Sequence, residues 1–232
     1  MPLPETVAVI DFETNGSSPG QGGRATEIAA VLVCEGQTVG RFQSLMNSGA
    51  WVPPFIEQLT GITNAMVQRA PPARAVMREV LYFTRGCPLV AHNAAFDRAF
   101  WHAEGRRAGV GDDLEPDPAH TFACTVRLSR RLYPHAANHR LGTLAALHAL
   151  PASGRAHRAL ADAQPTAHLL LQLQRDVRER FAEALRDSEV THALLVKLQS
   201  ESRAKLGRCL AQPGRKALPT AAPTPCNSPP AP

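Results

Sequence analysis

The chain opens with a short apolar run at residues 6–12, which reads as a buried central strand. Residues 26–34 and 38–47 read as two further strands. The connection Glu35-Gly36-Gln37 is tight, so these two are expected to pair antiparallel. A second buried strand is predicted at 88–92 and a short one at 122–124. Helical spacing takes over at 73–84, where Val76, Val80, Leu81 and Phe83 recur, and again at 94–107, 126–132, 141–150 and 158–174. Segment 48–71 is irregular, with short helical pieces after Pro53-Pro54 and at 64–69. Residues 17–23 form a turn region, 109–118 a polar loop, and 151–157 a loop with Gly and Ser that is expected to be mobile. Strands come first and helices interleave later, which predicts a mixed α/β domain.

Beyond residue 174 the helical pattern continues to about 207. Val177, Phe181 and Leu185, then Val190, Leu194, Leu195 and Leu198, share one side, suited to packing on the domain or meeting a partner. Residues 211–232 contain seven prolines and read as disordered. The expected organisation is a domain at 5–174, a helical extension at 175–210 and a Pro-rich tail at 211–232.

Composition adds little to that picture except in where the charge lies. The formal net charge is +5. Residues 1–174 hold 15 basic and 14 acidic side chains, a net of +1, whereas residues 175–232 hold 10 and 6, a net of +4. The basic character therefore belongs to the C-terminal extension, where it could graze a polyanion or be a solvated tail. Five cysteines show no C-x-x-C pair and no zinc spacing, which reads as reduced thiols. The start Met-Pro-Leu-Pro-Glu lacks a basic and apolar leader pattern, and no run approaches the length of a membrane helix, so a cytoplasmic location and no membrane partner are expected.

The candidate chemistry lies in acids placed against apolar elements. Asp11 and Glu13 close the first strand, two apart and so on one face of it. Asp97 follows the strand at 88–92, and Asp162 begins the helix near 160. One such Asp alone is ordinarily a cap or turn residue. Four of them, with His157 five residues before the last, are costly to bury unless a cation compensates them. Divalent metal is that compensation, and the chemistry it suggests is that of a metal-dependent nuclease.

Val9-Ile10-Asp11-Phe12-Glu13-Thr14, His92-Asn93-Ala94-Ala95-Phe96-Asp97 and His157-Arg158-Ala159-Leu160-Ala161-Asp162 together resemble the three ordered motifs of the DEDDh (DnaQ-like) 3′–5′ exonucleases. The resemblance covers about residues 5–174 and is closest to the epsilon proofreading exonuclease of bacterial DNA polymerase III. It implies a ribonuclease H-like fold, a five-stranded mixed sheet flanked by helices. It further implies that Asp11, Glu13, Asp97 and Asp162 hold two divalent ions, Mg²⁺ or Mn²⁺, with His157 as general base. His92 is a rival for that base, but its place at a strand end fits packing better. Ile56-Glu57-Gln58-Leu59-Thr60-Gly61-Ile62-Thr63 is similar to the segment that wedges the terminal base, with Leu59 as the wedge. Phe12, Thr14, Asn93 and Phe96 are then the other substrate contacts. The implied activity is hydrolysis of DNA from frayed or single-stranded 3′ ends to nucleoside monophosphates, in proofreading or repair, with a DNA polymerase or other replication protein as partner. An RNA 3′-end trimming enzyme and a polymerase-holoenzyme subunit or adaptor are the competing readings.

Overall fold

A computed structural model describes residues 4–110, 122–151, 153–154, 156–186 and 188–211. Most of the expected polar loop at 109–118 and nearly all of the Pro-rich tail at 211–232 lie outside the described residues.

The apolar run near the N-terminus forms β1 (Thr6–Thr14), two residues longer than its hydrophobic part. It pairs antiparallel with β2 (Ala25–Cys34), Val9 facing Val31 and Glu13 facing Glu27. β2 pairs antiparallel with β3 (Gln37–Leu45). The turn between them puts Glu35 and Gly36 at φ 47° and 78°, two left-handed residues whose twist matches that of a two-residue hairpin. On its other side β1 runs parallel to β4 (Leu89–Ala91), which runs parallel to β5 (Ala123–Cys124). The order is β3-β2-β1-β4-β5, the five-stranded mixed sheet of the ribonuclease H-like fold.

Alternation along β1 and β2 divides the core. Ala8, Ile10, Phe12, Ile28, Ala30 and Leu32 face α3 (Ala73–Phe83) and α4 (Ala94–Arg107). Val7, Val9, Ala29, Val31 and Val33 face the long α7 (Ala159–Arg180), backed by α5 (Thr125–Leu132) and α6 (Leu141–Leu147). The irregular stretch after β3 holds α1 (Pro54–Thr60) and α2 (Asn64–Arg69). Among the described residues no helix is long and apolar enough to cross a membrane.

The helical pattern after 174 is broken where one run was expected. α7 itself extends to Arg180, followed by α8 (Ala182–Leu185), α9 (His192–Leu198) and α10 (Leu206–Ala211). Leu195, Leu198, Leu206 and Leu210 enter the same core as α7. Gln199 closes the sheet edge: its Oε1 accepts the Cys124 N–H at 2.7 Å, and its Nε2 donates to the Phe122 carbonyl at 3.0 Å. The His192 ring Nε2 lies 2.9 Å from the Leu89 carbonyl, and the His192 N–H donates to Glu5 at 2.7 Å.

Candidate active site

Three elements deliver the four acids. Asp11 and Glu13 leave β1 toward the layer occupied by α7, whose first turn carries Asp162. Carboxylate oxygens of Asp11, Glu13 and Asp162 all lie within 4.8 Å of one another. Asp97 enters from the first turn of α4. It is 2% exposed, and its Oδ1 accepts the Phe12 N–H at 3.1 Å, on the backbone between the two β1 acids. The turn that places it requires Asn93 at φ 64°, a left-handed conformation that Asn tolerates better than most residues.

Packing so many carboxylates together makes their ionised forms unfavourable. Burial, then the charges of Asp97, Glu13, Asp162 and Glu27, push Asp11 well above the usual carboxylate range. Glu13 is pushed up to about 8, first by burial and then by Asp162, Glu27 and Asp97. Burial takes Asp97 to about 8 against the pull of the Phe12 N–H. Asp162 is raised by burial and eased by the His157 N–H, which donates to its Oδ2 at 3.2 Å. A set of convergent, all-oxygen donors with unfavourable negative charge suits a hard divalent cation.

His157 is exposed, has φ 60°, and stands immediately before α7. His92 instead points its Nδ1 at the Thr125 hydroxyl, 2.8 Å away, and burial lowers it to about 4. It is a packed residue between β4 and α5.

The expected substrate contacts separate into two groups. Leu59 (48% exposed) and Asn93 are open to solvent, Phe96 is partly buried against Phe100, and Thr14 is buried with its hydroxyl donating to the Gly16 carbonyl at 2.7 Å. Phe12 differs from expectation. Strand alternation turns its side chain away from Asp11 and Glu13 into the α4 layer, against Phe100 and Trp101, and Asp97 holds its N–H. Its ring is part of the core, and the residue is 4% exposed.

Two features escaped sequence reasoning. Trp51 and Phe55, 64% and 67% exposed, precede Leu59 on the segment that Asn15 ties to the end of β1 through the Trp51 carbonyl at 2.8 Å. Glu27, buried, and Arg158, partly exposed, form an ion pair beside the acids, with Nη2 to Oε1 at 2.6 Å. The signal for the second was a lone Glu inside the apolar run 25–33.

A mixed sheet whose central strand ends in a cluster of carboxylates, joined by acids from two flanking helices, defines a nuclease of ribonuclease H-like fold. The model of the RNase_T exonuclease family matches residues 8–170, and the chain belongs to that family. The 3′–5′ exonuclease DinG of Bacillus subtilis is 38% identical over 172 residues, covering 74% of this chain and 18% of that protein. A DNA polymerase III PolC-type of Halalkalibacterium halodurans is 35% identical over 178 residues, covering 77% of this chain and 12% of the polymerase. The chain thus spans a small part of the curated relatives it matches. Among solved structures, exonuclease X in complex with 5′ overhanging duplex DNA superposes with a TM-score of 0.57 at 29% identity, covering 73% of this chain and 91% of that one. The resemblance to the DEDDh exonucleases holds.

Proposed function

We propose that this chain is a metal-dependent 3′–5′ exonuclease that removes nucleotides from DNA 3′ ends and releases 5′-mononucleotides. The observation that carries the reading is the convergence of Asp11, Glu13 and Asp162 within 4.8 Å, on a site where burial and mutual repulsion make their ionised forms unfavourable. With Asp97 they form the ligand set for two Mg²⁺ or Mn²⁺ ions. Such ions, when bound, lower the pKa of an attacking water and stabilise charge on the leaving oxygen.

The chain's own residues then have distinct tasks. His157 takes the proton of the attacking water, and its exposed place beside Asp162 lets it approach from solvent. Leu59 separates the last base from its neighbour, and Trp51 and Phe55 give the preceding bases apolar faces to stack on. Thr14, Asn93 and Phe96 border the terminal nucleotide. DNA is favoured as substrate by the likeness to exonuclease X, solved with duplex DNA, and to a PolC-type DNA polymerase. The PolC relationship supports a DNA polymerase or another replication or repair protein as partner.

The test is hydrolysis of single-stranded and mismatched duplex oligonucleotides labelled at either end, with Mg²⁺, Mn²⁺ or EDTA. The expected result is immediate loss of the 3′ label, a ladder from the 5′-labelled strand, and no reaction in EDTA. Immediate loss of the 5′ label would reverse the direction, activity in EDTA would sink the metal reading, and faster cleavage of matched RNA would reassign the substrate.

A further inference from the structure

Among the described residues two glutamates, Glu27 and Glu104, are fully enclosed, and each is held by arginine. Glu104 on α4 is bound by Arg24, Nε to Oε1 at 2.7 Å, with Arg107 at 3.3 Å, which fastens α4 to the start of β2. The other, Glu27, stands across the strand pair from Glu13 and is 1% exposed. Its position beside the acids makes it a candidate fifth ligand. Its bonds exclude that role. Oε1 accepts from Gln43 Nε2 at 2.8 Å and Arg158 Nη2 at 2.6 Å, while Oε2 accepts from Arg158 Nε at 3.0 Å and the Ala159 N–H at 2.9 Å. Four donors fill the carboxylate, and none of its lone pairs is left for an ion.

Those donors identify what Glu27 holds. Ala159 is the first residue of α7, and Arg158 is its N-cap, extended at φ −131° and ψ 131°, with no side-chain cap bond to its own helix. Glu27 supplies the missing acceptor from the sheet, where its charge also suits the positive end of a 22-residue helix. The arginine fork adds a second, planar restraint, so the helix end is fixed in rotation as well as position. His157 comes one residue before this anchor. Asp162 comes one turn after it, its N–H donating to the Arg158 carbonyl at 3.0 Å. The anchored end of α7 therefore sets where both residues stand relative to Asp11 and Glu13 on β1.

We infer that Glu27 and Arg158 are a positioning pair that brings Asp162 and His157 into register with Asp11 and Glu13, without touching the nucleic acid themselves. This rests on the reading of the four acids as a metal site. The ion pair offsets the charge that Glu27 would otherwise add next to Glu13, and it turns a sheet residue into the datum for a helix residue 135 positions further along the chain.

The test uses the full chain and Mn²⁺ alone as first probe, titrated by the electron paramagnetic resonance of the free ion, followed by oligonucleotide hydrolysis at saturating Mn²⁺. Arg158→Ala and Glu27→Gln are expected to weaken Mn²⁺ binding and lower kcat by about 10- to 100-fold, the range for groups that orient metal ligands from one layer out. KM for the oligonucleotide is expected to change by less than about threefold, because no substrate contact is removed. Arg158→Lys keeps the charge but not the fork and should fall between. Removing Arg158 leaves the buried charge of Glu27 and could unfold the chain, so the uncharged double variant Glu27→Gln/Arg158→Met is the decisive one. It should repeat the loss of the worse single variant and add nothing. Wild-type Mn²⁺ affinity in any folded variant, or losses that sum in the double variant, would overturn the pairing. A wild-type chain that binds Mn²⁺ yet releases no nucleotide would defeat the functional reading, and the Mn²⁺ arm would then decide the pair by itself. Absence of Mn²⁺ binding in the wild type would overturn both.

Discussion

The Ser153 hydroxyl donates at 2.7 Å to the carbonyl of Ala161, the acceptor that Pro165, lacking an N–H, leaves without a partner inside α7. A proline within a helix normally weakens it. Here the freed carbonyl becomes a fastening point for the segment that leads to His157. Ser153 holds that segment on one side of His157 and Arg158 on the other, with Gly154 at φ 50° and His157 at φ 60° between the fastenings. Ser153→Ala is expected to cost about 1 kcal/mol in stability, a typical hydrogen bond. It should also speed amide hydrogen exchange at Ala156 and His157. Unchanged exchange there would show that the fastening does not restrain the segment.

Stability and activity should respond oppositely to Asp11→Asn. In EDTA at alkaline pH, where the carboxylates ionise, the variant is expected to melt higher than the wild type, because a charge repelled by Asp97, Glu13 and Asp162 has been removed. Activity should fall by more than about 100-fold, beyond the figure for groups one layer out from a metal. Mn²⁺ should raise the melting temperature of the wild type and not of the variant. His157→Ala, by contrast, should lose about 10²- to 10⁴-fold in kcat, the usual worth of a general base, while keeping its response to Mn²⁺. Thermal melts with and without Mn²⁺ check both.

The raised carboxyls give the metal-free chain a distinctive pH profile. Glu13 and Asp97 titrate near 8 when folded, against about 4 when unfolded, so the folded state binds more protons across that window. Their contribution to stability is present below pH 4 and is lost as pH rises through 8. Metal requires the ionised forms, so binding near pH 7 should release about one proton or more per chain. Calorimetric titration with Mn²⁺ in buffers of different ionisation enthalpy measures this. Binding without proton release would contradict the raised values.

Base stacking on the exposed aromatics predicts a loss in substrate affinity. Phe55→Ala and Trp51→Ala should each weaken oligonucleotide binding by about 1–3 kcal/mol, the worth of one base on one ring. Both residues are largely solvent-exposed, so thermal stability should be unchanged. Fluorescence anisotropy with a labelled strand, in Ca²⁺ to suppress hydrolysis, separates the two effects. Wild-type affinity in both variants would remove them from the substrate path.

Much of this arrangement was legible in the sequence because it rests on local signals. The pattern of the chain predicts all five strands to within a few residues, and the three motifs name Asp11, Glu13, Asp97 and Asp162 but not Glu27. What escaped reading depends on contacts between distant residues. The shared strand face of Asp11 and Glu13 is a local signal, but nothing local sets Glu13 against Glu27. The place of Phe12 between two acids suggests a substrate contact, whereas strand alternation turns its ring to the opposite layer, against Trp101. Arg158 lies 131 positions from Glu27, and no periodicity connects them. The helical pattern after 174 does not show the breaks that let α9 pack on β5 and α10 on α8.

The amide of Gln199 has a consequence for assembly. By bonding both the N–H of Cys124 and the carbonyl of Phe122, it stands in for a sixth strand beside β5. Growth of the sheet is terminated there by a side chain that cannot itself be extended. Among the described residues, β3 is then the margin at which another strand could add main-chain bonds. A partner that recognises this domain through its sheet has one side to choose from, and it is the side away from β5.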